Sequence, residues 1–165
     1  MQNLKHNKKP IILAVAHCLL SPEVRARGLS RHPEIKNKIL KLAEKYNAEI
    51  KQLPCPEFLL LGEREPKTYD EYIETEGFRD TCEKAAEDFS GKVKDCKILI
   101  VGIARSPSCS DSYVHDRNDN LKKGKGLLIR FLLEKLPADT LFAEMDYHDK
   151  DGSLQKIREI LENRL

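Results

Sequence analysis

No Cys-x-x-Cys pair occurs among the five cysteines, and an odd count without close spacing excludes the usual disulfide framework of a small secreted domain. The thiols are therefore read as free or metal-bound, in a reducing, cytoplasmic setting. No glycine-rich phosphate loop follows any strand-like run, neither Gly-x-Gly-x-x-Gly nor Gly-x4-Gly-Lys-Ser/Thr, which argues against a plain nucleotide-binding domain without metal. Neither sign of charge dominates. Lys and Arg number 29 against 27 Asp and Glu, for a net charge of +2, and the two signs are interspersed as on an ordinary solvated surface, so nothing demands nucleic acid. Long apolar runs are also missing. Residues 11–20, preceded by Lys5, Lys8 and Lys9, mimic a signal peptide, but they contain His17 and Cys18, lack a small-x-small cleavage site and are too short to span a bilayer. With no repeat or low-complexity tract, 165 residues at 40% hydrophobic content are read as a single domain over 1–165.

What is present is a regular alternation. Short, β-branched apolar runs at 11–16, 48–53, 97–103 and 141–145 have strand length, and the unbroken apolar character of the first and third fits strands covered on both faces. Between them lie segments of helical periodicity: 33–46, with Ile35, Ile39, Leu42 and Ala43 on one stripe; 69–89, interrupted or loosened near Gly77; 127–136; and a closing helix at 154–165. Residues 1–9 are polar and expected to fray. Residues 106–125 read as a polar loop. The alternation predicts an α/β, Rossmann-like three-layer domain with a mainly parallel four-stranded sheet and right-handed crossovers, strand order 2-1-3-4 being assumed.

Three of the strand-like runs end in a cysteine segment: His17-Cys18, Pro54-Cys55-Pro56-Glu57 and Ser106-Pro107-Ser108-Cys109. Ligands of open parallel sheets bind beyond the carboxyl ends of the strands. Three convergent thiolates leave one position free on a tetrahedral metal or on a cubane iron-sulfur cluster, which is the arrangement that catalysis requires. Cys82 and Cys96 are read as packed small hydrophobes.

His17-Cys18-Leu19-Leu20 followed by a basic loop, Pro54-Cys55-Pro56-Glu57 followed by Gly62 and Arg64-Glu65-Pro66, and Ser106-Pro107-Ser108-Cys109 followed by Asp116 resemble the three signature motifs of the 2-thiouracil desulfurase family. The resemblance implies that Cys18, Cys55 and Cys109 hold a [4Fe-4S] cluster with one iron free of protein ligands, fragile toward oxygen, and that this iron takes the sulfur of a thiocarbonyl substrate while water attacks the carbon. It further implies Glu57 as the catalytic carboxylate and Ser106 as an assisting group. The implied partner is a small thiolated substrate, free base or nucleotide, with thiolated tRNA as a larger alternative and no membrane. Two departures stand out. Arg25-Ala26-Arg27-Gly28 replaces the family's Arg-Tyr-Asp-Gly, and His115-Asp116-Arg117 replaces Tyr-Asp-Gly, so groups able to contact substrate differ.

Blander readings remain open beside these. Glu57 also fits a helix-start position, where acidic residues are favoured. Ser106 and Ser108 fit turn-forming roles, and His17 fits a residue facing away from the site by strand alternation. Arg25, Arg27, Arg31, Lys122, Lys123 and Lys125 either attract an anion or only solubilise loops. At the level of function, the rival is a non-catalytic carrier or sensor that uses the same three cysteines for iron-sulfur or zinc.

Overall fold

The computed structural model describes residues 8–165; the fraying expected at the amino terminus falls largely on residues 1–7, outside the described residues. In chain order the elements are β1 (Ile11–Val15), α1 (His17–Leu20), a 3-10 turn (Pro22–Val24), α2 (Glu34–Lys45), β2 (Ala48–Gln52), α3 (Pro56–Leu61), α4 (Tyr69–Ile73) and α5 (Phe78–Ser90). They continue with β3 (Lys97–Ile103), β4 (Tyr113–His115), β5 (Leu121–Lys123), α6 (Leu127–Lys135), β6 (Leu141–Met145) and α7 (Lys150–Asn163).

The main sheet has the order β2-β1-β3-β6 and is parallel throughout, which is the expected α/β architecture with the assumed strand order. The sequence pattern explains which strands are central. From Ile12 to Val15 and from Ile98 to Ile103 every residue is buried, as full cover on both faces requires, whereas β2 alternates partly exposed residues at the sheet edge. Leu13 pairs in register with Ile50 on one side and Leu99 on the other.

The chain steps from β1 outward to β2, then back past β1 to β3 and on to β6. Crossovers of one hand that run in opposite directions place their helices on opposite faces. So α2 covers one face, where α7 joins it, and α5 packs with α6 on the other. The direction change falls between β1 and β3, which opens a crevice at their carboxyl ends.

The interruption expected near Gly77 is present: residues 69–89 form two helices, and Gly77 adopts φ +84, which ends any continuous helical path. Other connections differ from the sequence reading. The last helix starts at Lys150, four residues earlier than expected, because the Asp149 carboxylate accepts from the Gly152 N–H and caps it. The loop 106–125 contains the antiparallel hairpin β4–β5. Among the described residues no helix is long and apolar enough to cross a membrane.

Candidate functional site

Each motif cysteine is delivered by a different device. Cys18 is the second residue of α1, directly after β1. Cys55 precedes α3, whose first residue is Pro56; proline suits that position because its fixed φ is helical and its missing N–H has no partner there to lose. Cys109 lies at the end of a loop that doubles back onto β3, with its carbonyl accepting from the Ile103 N–H at 3.0 Å. That loop is held from below by α6. The Leu127 and Ile129 N–H groups, unpaired within the helix, donate to the carbonyls of Pro107 (2.9 Å) and Ser108 (3.2 Å). The Ser106 hydroxyl oxygen accepts from the Ser108 and Cys109 N–H groups at 3.2 and 3.0 Å, which closes the turn.

Cys18, Cys55, Cys109, Glu57 and Ser106 all line one cavity of about 470 Å³ in the crevice. Its apolar wall includes Val24, Ala26, Leu29 and Ile103, and its polar wall includes Arg25, Arg64 and Lys67. Burial pushes the Cys18 thiol up to about 11, against the opposing pull of the Arg25 guanidinium. Cys55 is pushed up to about 12, by burial first and the nearby Glu57 charge second. Burial and the neighbouring thiols raise Cys109 well above the ordinary range. All three are free cysteines, and burial opposes the charged thiolate at each.

Three thiols on one cavity wall have the chemistry of thiolate ligation to iron or zinc. Among the described residues no three His, Cys, Asp or Glu side chains converge as one metal ion requires. A lone zinc needs its sulfurs about 2.3 Å from one centre. In a cubane cluster each thiolate binds its own iron, so three ligands need not reach one common centre.

Glu57 sits in the first turn of α3 and is held on both oxygens: Oε2 accepts from the Ser108 hydroxyl at 2.7 Å and Oε1 from Arg64 Nη2 at 3.3 Å. Arg64 is only 8% exposed. Its remaining donors reach the carbonyls of Val24 (2.9 Å) and Gly62 (3.1 Å) and the hydroxyl of the fully buried Tyr72 (3.0 Å). Burial works against the guanidinium charge, but Glu57 and Tyr72 more than offset it.

Other sequence candidates land as follows. His17 lines the cavity rather than turning away, packs edge-on against Phe58 at 6.4 Å, and is lowered from its ordinary range by burial. Asp116 is outside the cavity lining and accepts from the Asn118 and Asn120 N–H groups, a turn-forming role. Of the basic residues, Arg25 faces the cavity, whereas Arg27 pairs with Glu63 and Glu65, Lys122 with Asp70 and Lys125 with Asp111. Cys82 is fully buried on α5, as expected of a packing residue; Cys96 is half-buried and donates to the Lys94 carbonyl.

Sequence reasoning missed the roles of Arg64, Ser108 and Tyr147. Tyr147, from the loop after β6, lies near the Cys18 thiol; the Arg25 guanidinium lies 4.3 Å from its ring centroid, and His32 stacks on it at 5.1 Å. A buried arginine within a charged stretch gives no local signal, and Tyr147 is brought to Cys18 only by sheet order.

The fold and the cysteine-lined crevice thus define a parallel α/β protein with its site at the topological switch point. The model of the family described as "Putative 2-thiouracil desulfurase" matches residues 10–120, and the chain belongs to that family. It is similar to the uncharacterized protein MJ0003 of Methanocaldococcus jannaschii, 28% identical over an alignment of 161 residues that covers 93% of this chain and 96% of that one. Its fold resembles the solved structure of the [4Fe-4S]-dependent thiouracil desulfidase TudS, with a TM-score of 0.50 at 17% identity over 91% of this chain and 98% of that one.

Proposed function

We propose that this chain is a [4Fe-4S]-dependent desulfurase that converts the thiocarbonyl of a thiolated nucleobase or its nucleotide to a carbonyl. The balance is one water consumed and one hydrogen sulfide released, with no net redox change. The observation that carries the reading is the presence of Cys18, Cys55, Cys109 and the ion-paired Glu57 on the wall of one cavity. Cys18, Cys55 and Cys109 would hold the cluster. Bound there with one iron free of protein ligands, it supplies a Lewis-acidic, sulfur-accepting centre.

The remaining work belongs to the chain's own residues. Val24, Ala26, Leu29 and Ile103 give the planar base an apolar wall and limit bulk water. Glu57 is an acceptor fixed by Ser108 and Arg64, and it takes a proton from the attacking water. The Ser106 oxygen is occupied by two backbone donors, so its own proton is left to orient water or substrate in the cavity. Five free thiols suit a reducing, cytoplasmic setting.

Anaerobic reconstitution should give about four irons per chain with a broad charge-transfer absorbance. Cys18→Ala, Cys55→Ala and Cys109→Ala should each lose it. Glu57→Gln should keep the spectrum and lower sulfide release by about 100-fold, the scale of a lost general base. Stoichiometric zinc without iron, or a loaded wild type inert toward thiouracil, thiouridine phosphates and thiolated tRNA alike, would overturn the proposal.

A further inference from the structure

The Glu57 carboxylate is gripped by two residues from outside its own helix, and both belong to segments that also carry or adjoin a motif cysteine. Ser108 precedes Cys109, is fully buried, does not line the cavity and donates to Oε2 at 2.7 Å from behind. Arg64 follows the helix that Cys55 starts and takes Oε1 at 3.3 Å. Arg64 is itself over-determined. Its guanidinium is tied to the Val24 carbonyl on the loop after Cys18, to Gly62 and to Tyr72, whose ring packs against Phe78 with centroids 4.6 Å apart. A side chain that spans three segments and is nearly buried has little freedom to reorient. The carboxylate it holds is confined in the same way, on both oxygens.

We infer that Arg64 and Ser108 are the positioning residues of Glu57, each fixing one carboxylate oxygen, so that they act on turnover through the direction Glu57 faces and not through cofactor retention. The inference rests on the reading of Glu57 as the group that acts on water. Ser106, the neighbouring hydroxyl, plays a separate part, since it closes the Cys109 turn and makes no hydrogen bond to Glu57. The buried pair has a further consequence. Removing either donor leaves a partly buried carboxylate oxygen underused and free to turn toward other partners, and the orientation is lost even though the charge stays.

The test is a mutant cycle on anaerobically reconstituted full-length protein with a thiolated uracil as probe. Ser108→Ala and Arg64→Ala should each retain wild-type iron content and absorbance and lower kcat about ten- to a hundredfold with little change in KM, the scale of one hydrogen bond to a charged group. Combined with Glu57→Ala, either should cost nothing further, because the residue through which it acts is gone. Guanidinium added to the Arg64→Ala enzyme should restore part of kcat without raising its melting temperature, which a purely structural role would not produce. Crystal structures of the Ser108→Ala and Arg64→Ala apoproteins should show Glu57 in a different rotamer.

Full additivity with Glu57→Ala, or an unmoved Glu57 in both variants, overturns the positioning role while leaving Glu57 itself in place. Wild-type turnover by Glu57→Ala overturns the reading of Glu57, and this inference with it. If Arg64→Ala does not fold, Ser108→Ala carries the cycle alone, and Arg64→Lys, which keeps charge without the planar fork, replaces the missing arm.

Discussion

Two glycines decide where Cys109 can sit. A Cβ on Gly126 would lie 2.3 Å from the Ser108 carbonyl carbon and 2.6 Å from the Cys109 nitrogen, and one on Gly102 would lie 2.1 Å from the Cys109 oxygen. The cysteine loop is therefore pressed between the end of β3 and the start of α6 at distances only glycine permits. Gly126→Ala should push the loop outward, destabilise the fold by about 1 to 3 kcal/mol as overpacking does, and reduce the iron retained after reconstitution. Gly91→Ala is the control. Its Cβ would make only ordinary contact, with the nearest atom at 3.6 Å, so iron retention should be unchanged. Equal iron loss in both variants would show that the Cys109 loop is not the sensitive point. At this scale the sequence named the three thiols and Glu57 through their motifs. It gave no sign of Ser108 on the back of Glu57 or of the glycines against the loop, since both depend on backbone approach across many residues.

At the scale of elements, the carboxyl ends of β3 and β6 are tied by Arg105 and Asp146. Arg105 holds φ +65, a left-handed conformation that a residue with a Cβ adopts at some strain, and its guanidinium pairs with Asp146 at 2.8 and 3.2 Å. The Arg105 partner, with help from the His148 N–H, holds the Asp146 carboxyl below its ordinary range against the opposing effect of burial. A depressed carboxyl stabilises the folded state fully above its unfolded pKa, and that contribution is lost as pH falls through the lower folded value. The pair's share should thus be present at neutral pH, begin to fall near the unfolded carboxylate value of about 4, and be gone only once the pH is below the lower folded value. Both side chains are about one-third exposed, so screening limits the size. Asp146→Asn should lower urea resistance slightly at pH 7, by at most about 1 kcal/mol, and the gap to wild type should narrow steadily as the pH falls below about 4. A gap that widens in acid would contradict the assignment.

The hairpin is an element the sequence reading missed, as it did the short helices α1 and α3. Three-residue strands, with all three residues of β5 exposed, show no apolar alternation. What holds β4 and β5 beside the cavity is distant: Asp70 on α4 meets Lys122 and the Arg117 N–H, and Glu74 meets Arg117. The break near Gly77 was legible as an interruption or a loosening. Its sharpness was not, because a positive φ is chosen by what the two helices must pack against.

At the scale of the whole molecule, the site is a by-product of sheet order, so its integrity follows the stability of β1 and β3. Leu13 is fully buried at the centre of β1 between Ile50 and Leu99. Leu13→Ala should cost about 2 to 5 kcal/mol, lower the melting temperature by roughly 5 to 20 °C, and yet leave the kcat of the surviving folded, loaded fraction near wild type. A large loss of kcat per iron at unchanged melting temperature would mean that the strand reports to the site in some other way.

The sequence by itself determined the parallel α/β class, the four main strands, the four long helical segments and the identity of the three thiols. These features are local: unbroken apolar runs need cover on both faces, helical stripes need a core, and a cysteine after a strand stays at that strand's end. Only the tertiary structure decided which side chains meet. The order β2-β1-β3-β6 brings Cys18, Cys55 and Cys109 to one crevice, Ser108 and Arg64 to the two oxygens of Glu57, and Tyr147 to Cys18. None of those pairings has a sequence period, because contacts made across a sheet edge are fixed by topology and by the packing of loops on helix ends, which no single stretch of chain encodes.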